Sequence, residues 1–168
     1  MSIDSERDAP ATLLQAVGMC LPPAGWWRWL GDWHFVIAVL ASVPVWIALG
    51  LMAGHRMQVD FAPGGLISLL VVRPCVEEFA FRGALQGYLL ERGGSRTVGP
   101  LSIANLVTTA TFVALHFTAQ PPAWALAVAI PSLLFGHLRE RFGSVLPPIA
   151  LHSIYNAGFA LAAWLVHS

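Results

Sequence analysis

"RPCVEEFAFRG", Arg73 to Gly83, sets two adjacent glutamates and two arginines inside an apolar stretch that runs from Phe61 to Leu90. The stretch is too long for a simple membrane span. Pro74 has no N–H for the carbonyl of Leu70 and is expected to bend or interrupt the helix there. On translocon-type scales an Asp, Lys or Arg at the centre of a span costs roughly 2.5–3.5 kcal/mol, and a glutamate is assigned a similar cost, so these charges need partners. Glu78 and Arg82 are four apart, share a helix face and are expected to pair. Glu77 lies about 100° around the helix without a cation of its own. Two carboxylates side by side in a low dielectric are a coupled pair, and such a pair suits general acid–base chemistry.

Reading outward, the chain has 168 residues, 57% of them hydrophobic and 11% charged, with a mean hydropathy of +0.67. An average soluble domain carries roughly 25% charged residues, so the composition is that of a membrane protein. Further apolar segments run from Phe35 to Met52 (with Pro44 as a kink), Leu101 to Ala119, Trp124 to Leu138 and Val145 to Val166. The expected fold is all-α: a polytopic transmembrane bundle of about five spans at roughly 20 residues each, occupying residues 31–168. Residues 1–30 form a polar N-terminus and a short interfacial helix that Pro22-Pro23 stops. Trp26, Trp27, Trp29 and Trp33, with Arg28, fit a headgroup belt.

The acidic start "MSIDSERDAP" does not read as a secretory signal, which leaves insertion to the first span. The nine basic residues are all arginines and balance nine acids, so no general attraction to nucleic acid is expected and the bilayer is the expected partner. Arg7, Arg28, Arg92, Arg96, Arg139 and Arg141 fall on one side and Arg56 on the other, which predicts a cytoplasmic N-terminus and an outer C-terminus. Cys20 and Cys75 lack a CxxC pattern and read as small apolar fillers.

Few other intramembrane groups can do proton or oxyanion chemistry: His116 in "FVALHF", and His152 with Asn156 in "LHSIYN", four apart on one helix face. Each alone reads more readily as structural; three such groups on two segments, beside a carboxylate on a third, form a candidate site. Counted from the cytoplasmic ends at about 1.5 Å per residue, Glu77 and His116 lie at about 24 Å, Asn156 at about 18 Å and His152 at about 12 Å. Gly83 and Gly87, with Ala157, Gly158 and Ala160, would let the acidic helix and the last span approach closely. His34, His55, His137 and His167 fall at span ends and read as interfacial.

These residues resemble the motifs of the CPBP intramembrane proteases, the CAAX-protease and bacteriocin-processing family also called Abi. "PCVEEFAFRG" resembles its EExxxR motif, "FVALH" (Phe112–His116) its FxxxH motif and "HSIYN" (His152–Asn156) its HxxxN motif, in the family's order across about residues 71–158. Arg73 stands outside the pattern. The resemblance implies a membrane endopeptidase in which Glu77 activates water, His116, His152 and Asn156 orient that water or stabilise the oxyanion, and Glu78 and Arg82 support them. It also implies a prokaryotic plasma membrane and a peptide or membrane-protein substrate.

Zinc catalysis usually takes three N, S or O ligands and an open position. Glu77, His116 and His152 are the three candidates if a divalent metal such as zinc is used. Asn156 is a poor zinc ligand and no HExxH is present, so a metal-free glutamate base is the favoured expectation. A serine protease of the rhomboid kind lacks a placed serine, and the aspartates lie outside the span centres, which disfavours an aspartyl type. The alternatives are a non-catalytic membrane binding or immunity protein and a small proton-coupled transporter, the last opposed by the lack of an inverted repeat.

Overall fold

The computed structural model describes residues 14, 17–19, 27–53 and 57–168. The expected polar N-terminus, most of the interfacial helix, Trp26, Cys20, His55, Arg7 and Arg56 lie outside the described residues. The chain is mostly helical. After a 3₁₀ turn at Arg28–Gly31, helix α1 runs Trp33–Ala53 through Pro44. The segments Pro63–Ile67, Ser68–Val72, Arg73–Glu78, Phe79–Leu85, Gln86–Leu89 and Leu90–Gly94 follow one another without a break and together form α2. Strands β1 (Thr97–Val98) and β2 (Leu101–Ser102) pair antiparallel, with Gly99 at φ 62° in the turn between them. Helices α3 (Ile103–His116), α4 (Pro122–Ala127), α5 (Ala129–Phe142) and α6 (Leu146–His167) complete the fold.

Of the bend or interruption expected at Pro74, the interruption does not occur: α2 continues through it. The backbone stays helical on both sides, with φ −65°, ψ −51° at Val72 and φ −61°, ψ −51° at Arg73. Ser68–Val72 is a π turn, in which hydrogen bonds reach five residues back and the extra residue absorbs the missing donor. Phe79–Leu85 is π-helical as well, whereas α2 leaves helical geometry near its end, at Arg92 (φ −90°, ψ 20°) and Gly93 (φ 88°, ψ 11°).

Contacts give each helix its direction. Gln86 and Arg82 of α2 meet Gly136 and Ser132 of α5, so these two helices run parallel. Phe81 packs on Phe112 and Gly94 on Ala104, so α3 runs against α2. His152 and Asn156 of α6 meet Glu78 and Leu69 in descending order, so α6 also opposes α2. Ala38, Trp46 and Gly50 of α1 meet Tyr155, Gly158 and Ala162 of α6, and these two run parallel. The course therefore reverses at every step along α1, α2, α3, α5 and α6.

By length and composition two helices are able to cross a membrane, Trp33–Met52 and Leu146–His167. The segments expected as third and fourth spans are shorter. Helix α3, with 14 residues, reaches about 21 Å, against roughly 30 Å of hydrocarbon. The fourth segment divides at Val128, because Pro131 has no N–H to continue a helix from Ala127 and sits instead in the first turn of α5. The expected close approach of α2 and α6 occurs, but Gly158 does not make it: Trp46 of α1 fills the space beside Gly158, while Gly83 faces Val17 and Val145, the residue that caps the start of α6. Nor does Trp29 join the belt: it is buried against Phe35 in a core with Leu138 and Leu151, whereas Trp27 and Trp33 are exposed.

One end of the bundle is tied by polar groups. Asp32 caps α1 through the N–H of His34 at 3.0 Å and accepts two guanidinium nitrogens of Arg141 at 2.7–3.1 Å. His34 and His137, expected as separate interfacial residues, share a hydrogen bond of 2.9 Å. The hydrogen bond from Arg141 holds the Asp32 carboxyl below its ordinary 3.8. A lowered carboxyl contributes stability above that value and loses it as the pH falls through the folded pKa. Asparagine still caps a helix, so Asp32→Asn removes only the ion pair. It is expected to cost about 0.2–1 kcal/mol at pH 7 and progressively less below pH 3.8, as read by unfolding in detergent across pH.

Candidate active site

The site begins with the inward face of α2. Pro74, Glu78, Arg82 and Gln86 recur every four residues and all are buried; the last three are 0% exposed. The opposite face, with Val72, Val76 and Tyr88, is exposed. Arg73 is exposed too and lies outside the polar cluster. Glu78 and Arg82 form the expected pair, Nη1 to Oε1 at 3.0 Å. The other guanidinium nitrogen, Nη2, donates to the hydroxyl and the carbonyl oxygen of Ser132 at 2.7 and 3.1 Å. Phe112 and Phe135 lie 4.8 and 5.2 Å from the guanidinium carbon, adding cation–π attraction on a desolvated charge.

The same Glu78 Oε1 accepts from His152 Nδ1 at 2.8 Å. An ionised carboxylate only accepts, so the proton lies on Nδ1 and Nε2 is left free for other work. Phe135 stacks on the imidazole, centroids 4.9 Å apart and planes 17° from parallel, and fixes the ring. His152 Nε2 then points to the neighbouring glutamate, 3.9 Å from Glu77 Oε2. The two carboxylates therefore have different surroundings: the Glu78 side chain is sealed, that of Glu77 is 31% exposed.

The depth count separated His152 from Glu77, yet the structure joins them. Helix α6 does not start at a surface: Ser144 and Val145 just ahead of it are 0% and 1% exposed. Its first turn already lies inside the fold, which carries His152 to the height of Glu78.

His116 and Asn156 are placed differently. His116 Nδ1 donates to the carbonyl of Phe112 at 2.8 Å, and its ring lies against that of Phe112. Because α3 opposes α2 and Phe112 meets Phe81, His116 one turn further on stands at the height of Glu77 and Glu78. Among the described residues, no hydrogen bond or ion pair joins it to Glu77 or His152. The amide of Asn156 donates to the carbonyl of Leu69 at 2.9 Å.

Nδ1–H bonds to a carbonyl and a carboxylate leave both histidines with a free Nε2, a pattern that also suits metal ligands. Glu77, His116 and His152 are nevertheless not gathered around one point: among the described residues no three His, Cys, Asp or Glu side chains come together as a metal group. The three residues named as ligands in case a metal is used are therefore not preassembled as a metal group. Cys75 is a free, half-buried thiol.

Sequence reasoning missed Ser132, Phe135 and Gln86. The first two hold the cluster; Gln86 extends it, donating to Gly136 at 3.1 Å and Glu140 at 2.6 Å. Glu78, Arg82 and Gln86 at four-residue spacing in an apolar helix were the available signal for a polar seam. Ser132 and Phe135 carry no mark of their own in the sequence. Arg82→Ala leaves a buried carboxylate without its cation and is expected to cost about 3–5 kcal/mol of stability, with Glu78→Gln in that background recovering part of the loss. Unfolding of the two variants in detergent, compared with the parent, checks both.

Comparison with curated proteins and with solved structures finds no match. Residues 59–158, more than half of the chain, match a family described as "Type II CAAX prenyl endopeptidase Rce1-like". The matched region holds Glu77, Glu78, Arg82, His116, His152 and Asn156. The chain therefore belongs to the Rce1-like type II CAAX prenyl endopeptidase family, a family of membrane-embedded proteases within the CPBP group.

Proposed function

We propose that the protein is an intramembrane endopeptidase that hydrolyses a membrane-associated or transmembrane peptide with water activated by Glu77. The observation that carries this reading is the contrast between adjacent carboxylates: Glu78 is neutralised by Arg82 and 0% exposed, whereas Glu77 is partly exposed and faces His152 Nε2. A water hydrogen-bonded at about 2.8 Å to both Glu77 Oε2 and His152 Nε2 fits their 3.9 Å separation as the apex of a triangle. Both groups accept from it, which turns its lone pairs outward to a substrate carbonyl. Glu77 takes a proton as the water oxygen attacks, and returns it to the departing amine when the C–N bond breaks. Glu78 holds the histidine in the tautomer this requires, and Arg82 is the cation that Glu78 is paired with. His116 is assigned to the other side of the reacting carbonyl, where its ring, when protonated on Nε2, donates to the developing oxyanion. No step is routed through a metal.

The same reading places the chain in the bilayer as a bundle of five membrane segments. Arg28, Arg92, Arg96, Arg139 and Arg141 are grouped at the end where α1 begins, and α6 finishes at the opposite end; the positive-inside rule then makes the N-terminus cytoplasmic. A prokaryotic plasma membrane is the proposed location.

The test is cleavage of single-span and lipidated peptides in proteoliposomes. Glu77→Gln is expected to lower turnover about 10²–10⁴-fold with little change in its unfolding midpoint, since the Glu77 side chain is partly exposed and its contact with His152, at 3.9 Å, is too long for a hydrogen bond. Turnover by the parent is expected to survive prolonged chelation; loss on chelation, restored by zinc, would show a metal in the reaction. Binding of peptide without cleavage, unaltered by Glu77→Gln, would sink the protease reading in favour of a binding protein.

A further inference from the structure

Asn156 was expected to work on water or the oxyanion; in the structure its amide nitrogen donates to the backbone of α2. The reason lies in the register of that helix. The N–H of Arg73 bonds to the carbonyl of Ser68, five residues back. In the same register the carbonyl of Leu69 is due a bond from residue 74, which is proline and has no N–H. The nearest alternative, the N–H of Arg73, is already taken by Ser68. Leu69 is half-buried, and a backbone carbonyl inside a bilayer cannot turn to water. Asn156 Nδ2 fills the place at 2.9 Å.

We infer that Asn156 is a positioning residue: its side-chain amide replaces the N–H that Pro74 lacks, caps the Leu69 carbonyl and holds the π turn that sets the rotational phase of the Glu77–Glu78 pair. The inference rests on the proposed protease reading for its catalytic consequence, and on geometry alone for its structural part. A π turn carries one extra residue, so the helix face ahead of it is offset by about 100° from the face behind it. That is also the angle between Glu77 and Glu78. Relaxing the turn to α-helical register would therefore rotate the segment bearing the glutamates relative to Pro63–Ile67 by the difference between one glutamate and the other. Helix α6 resists this at two points on one of its faces, His152 on Glu78 and Asn156 on Leu69, one helical turn apart. The second grip needs no charge, because its target is a carbonyl that proline has left open.

The inference separates positioning from direct chemistry through a double-mutant cycle with Pro74→Ala, which supplies an N–H at residue 74. In the parent background Asn156→Ala is expected to lower the unfolding midpoint in detergent by several degrees. In the Pro74→Ala background the same change is expected to have little effect, because the backbone then caps Leu69. Equal losses in the two backgrounds would overturn the inference. Turnover of a single-span peptide in proteoliposomes gives the second reading. Asn156→Ala is expected to lose roughly tenfold or more, the scale of a misplaced catalytic group, and Pro74→Ala/Asn156→Ala to match Pro74→Ala. If the midpoints couple but turnover of the double variant stays well below that of Pro74→Ala, Asn156 acts on the substrate itself and positioning is not its catalytic role. If the parent cleaves no peptide, the protease reading fails while the unfolding cycle still decides the capping.

Discussion

The ion pair between Glu78 and Arg82 is the constraint around which the bundle is organised. Neither side chain reaches solvent, so each depends on partners inside the protein, and these reach Glu78 through Oε1 and Arg82 through its two terminal nitrogens, while Glu78 Oε2 and Arg82 Nε have no partner among the described residues. Arg82 meets the need by reaching Ser132 on α5 and lying against Phe112 on α3 and Phe135 on α5; Glu78 meets it by receiving His152 from α6. Four helices are thereby registered against each other by one pair of charges. An apolar core of the same volume could be as stable, but it would tolerate sliding or rotation of one helix on another. The polar cluster does not, since a shift of one residue would leave a buried charge alone.

The same pair separates the two neighbouring carboxylates in function. Glu78 is committed to structure because its oxygen Oε1 is shared between a guanidinium and an imidazole. Glu77, one residue earlier, is left partly open beside the second nitrogen of that imidazole. In the proposed mechanism the histidine transmits the difference: one face is fixed by the sealed glutamate, the other is presented with the open one to water. The chemistry asked of the site is modest, a proton taken and returned, and the structural effort lies in holding an unpaired carboxylate at a defined place in an apolar surrounding.

Much of this was legible in the residues. Charges inside an apolar run demand partners by their desolvation cost, and four-residue spacing names the first partner, so the Glu78–Arg82 pair, and Glu77 beside it without a cation of its own, could be read directly. The four-residue spacing of His152 and Asn156 likewise put both on the face that meets α2. Less legible was what each would touch. Depth counting set His152 well apart from Glu77, because it took the start of α6 as a surface when Ser144 and Val145 are buried. Glycine spacing suggested that α2 and α6 approach closely, which they do, but the space at Gly158 is taken by Trp46 of α1. Ser132 and Phe135 bear no signature at all: a serine and a phenylalanine in an apolar helix acquire meaning only from what faces them.

The sequence by itself determined the helical, membrane-suited character of the chain, the segments that carry charge, and the residue types available for chemistry, because these follow from composition, local spacing and the cost of burying a charge. Only the tertiary structure decided which nitrogen of His152 serves Glu78, that His116 stands at the site's height without bonding to it, and that Asn156 serves the carbonyl left open by Pro74. Those outcomes depend on the π turns in α2, on the buried start of α6 and on the alternating directions of the helices. Each is a long-range compromise among packing and hydrogen-bond demands, in which a shift of one residue turns a helix face by about 100°, and no local pattern encodes it.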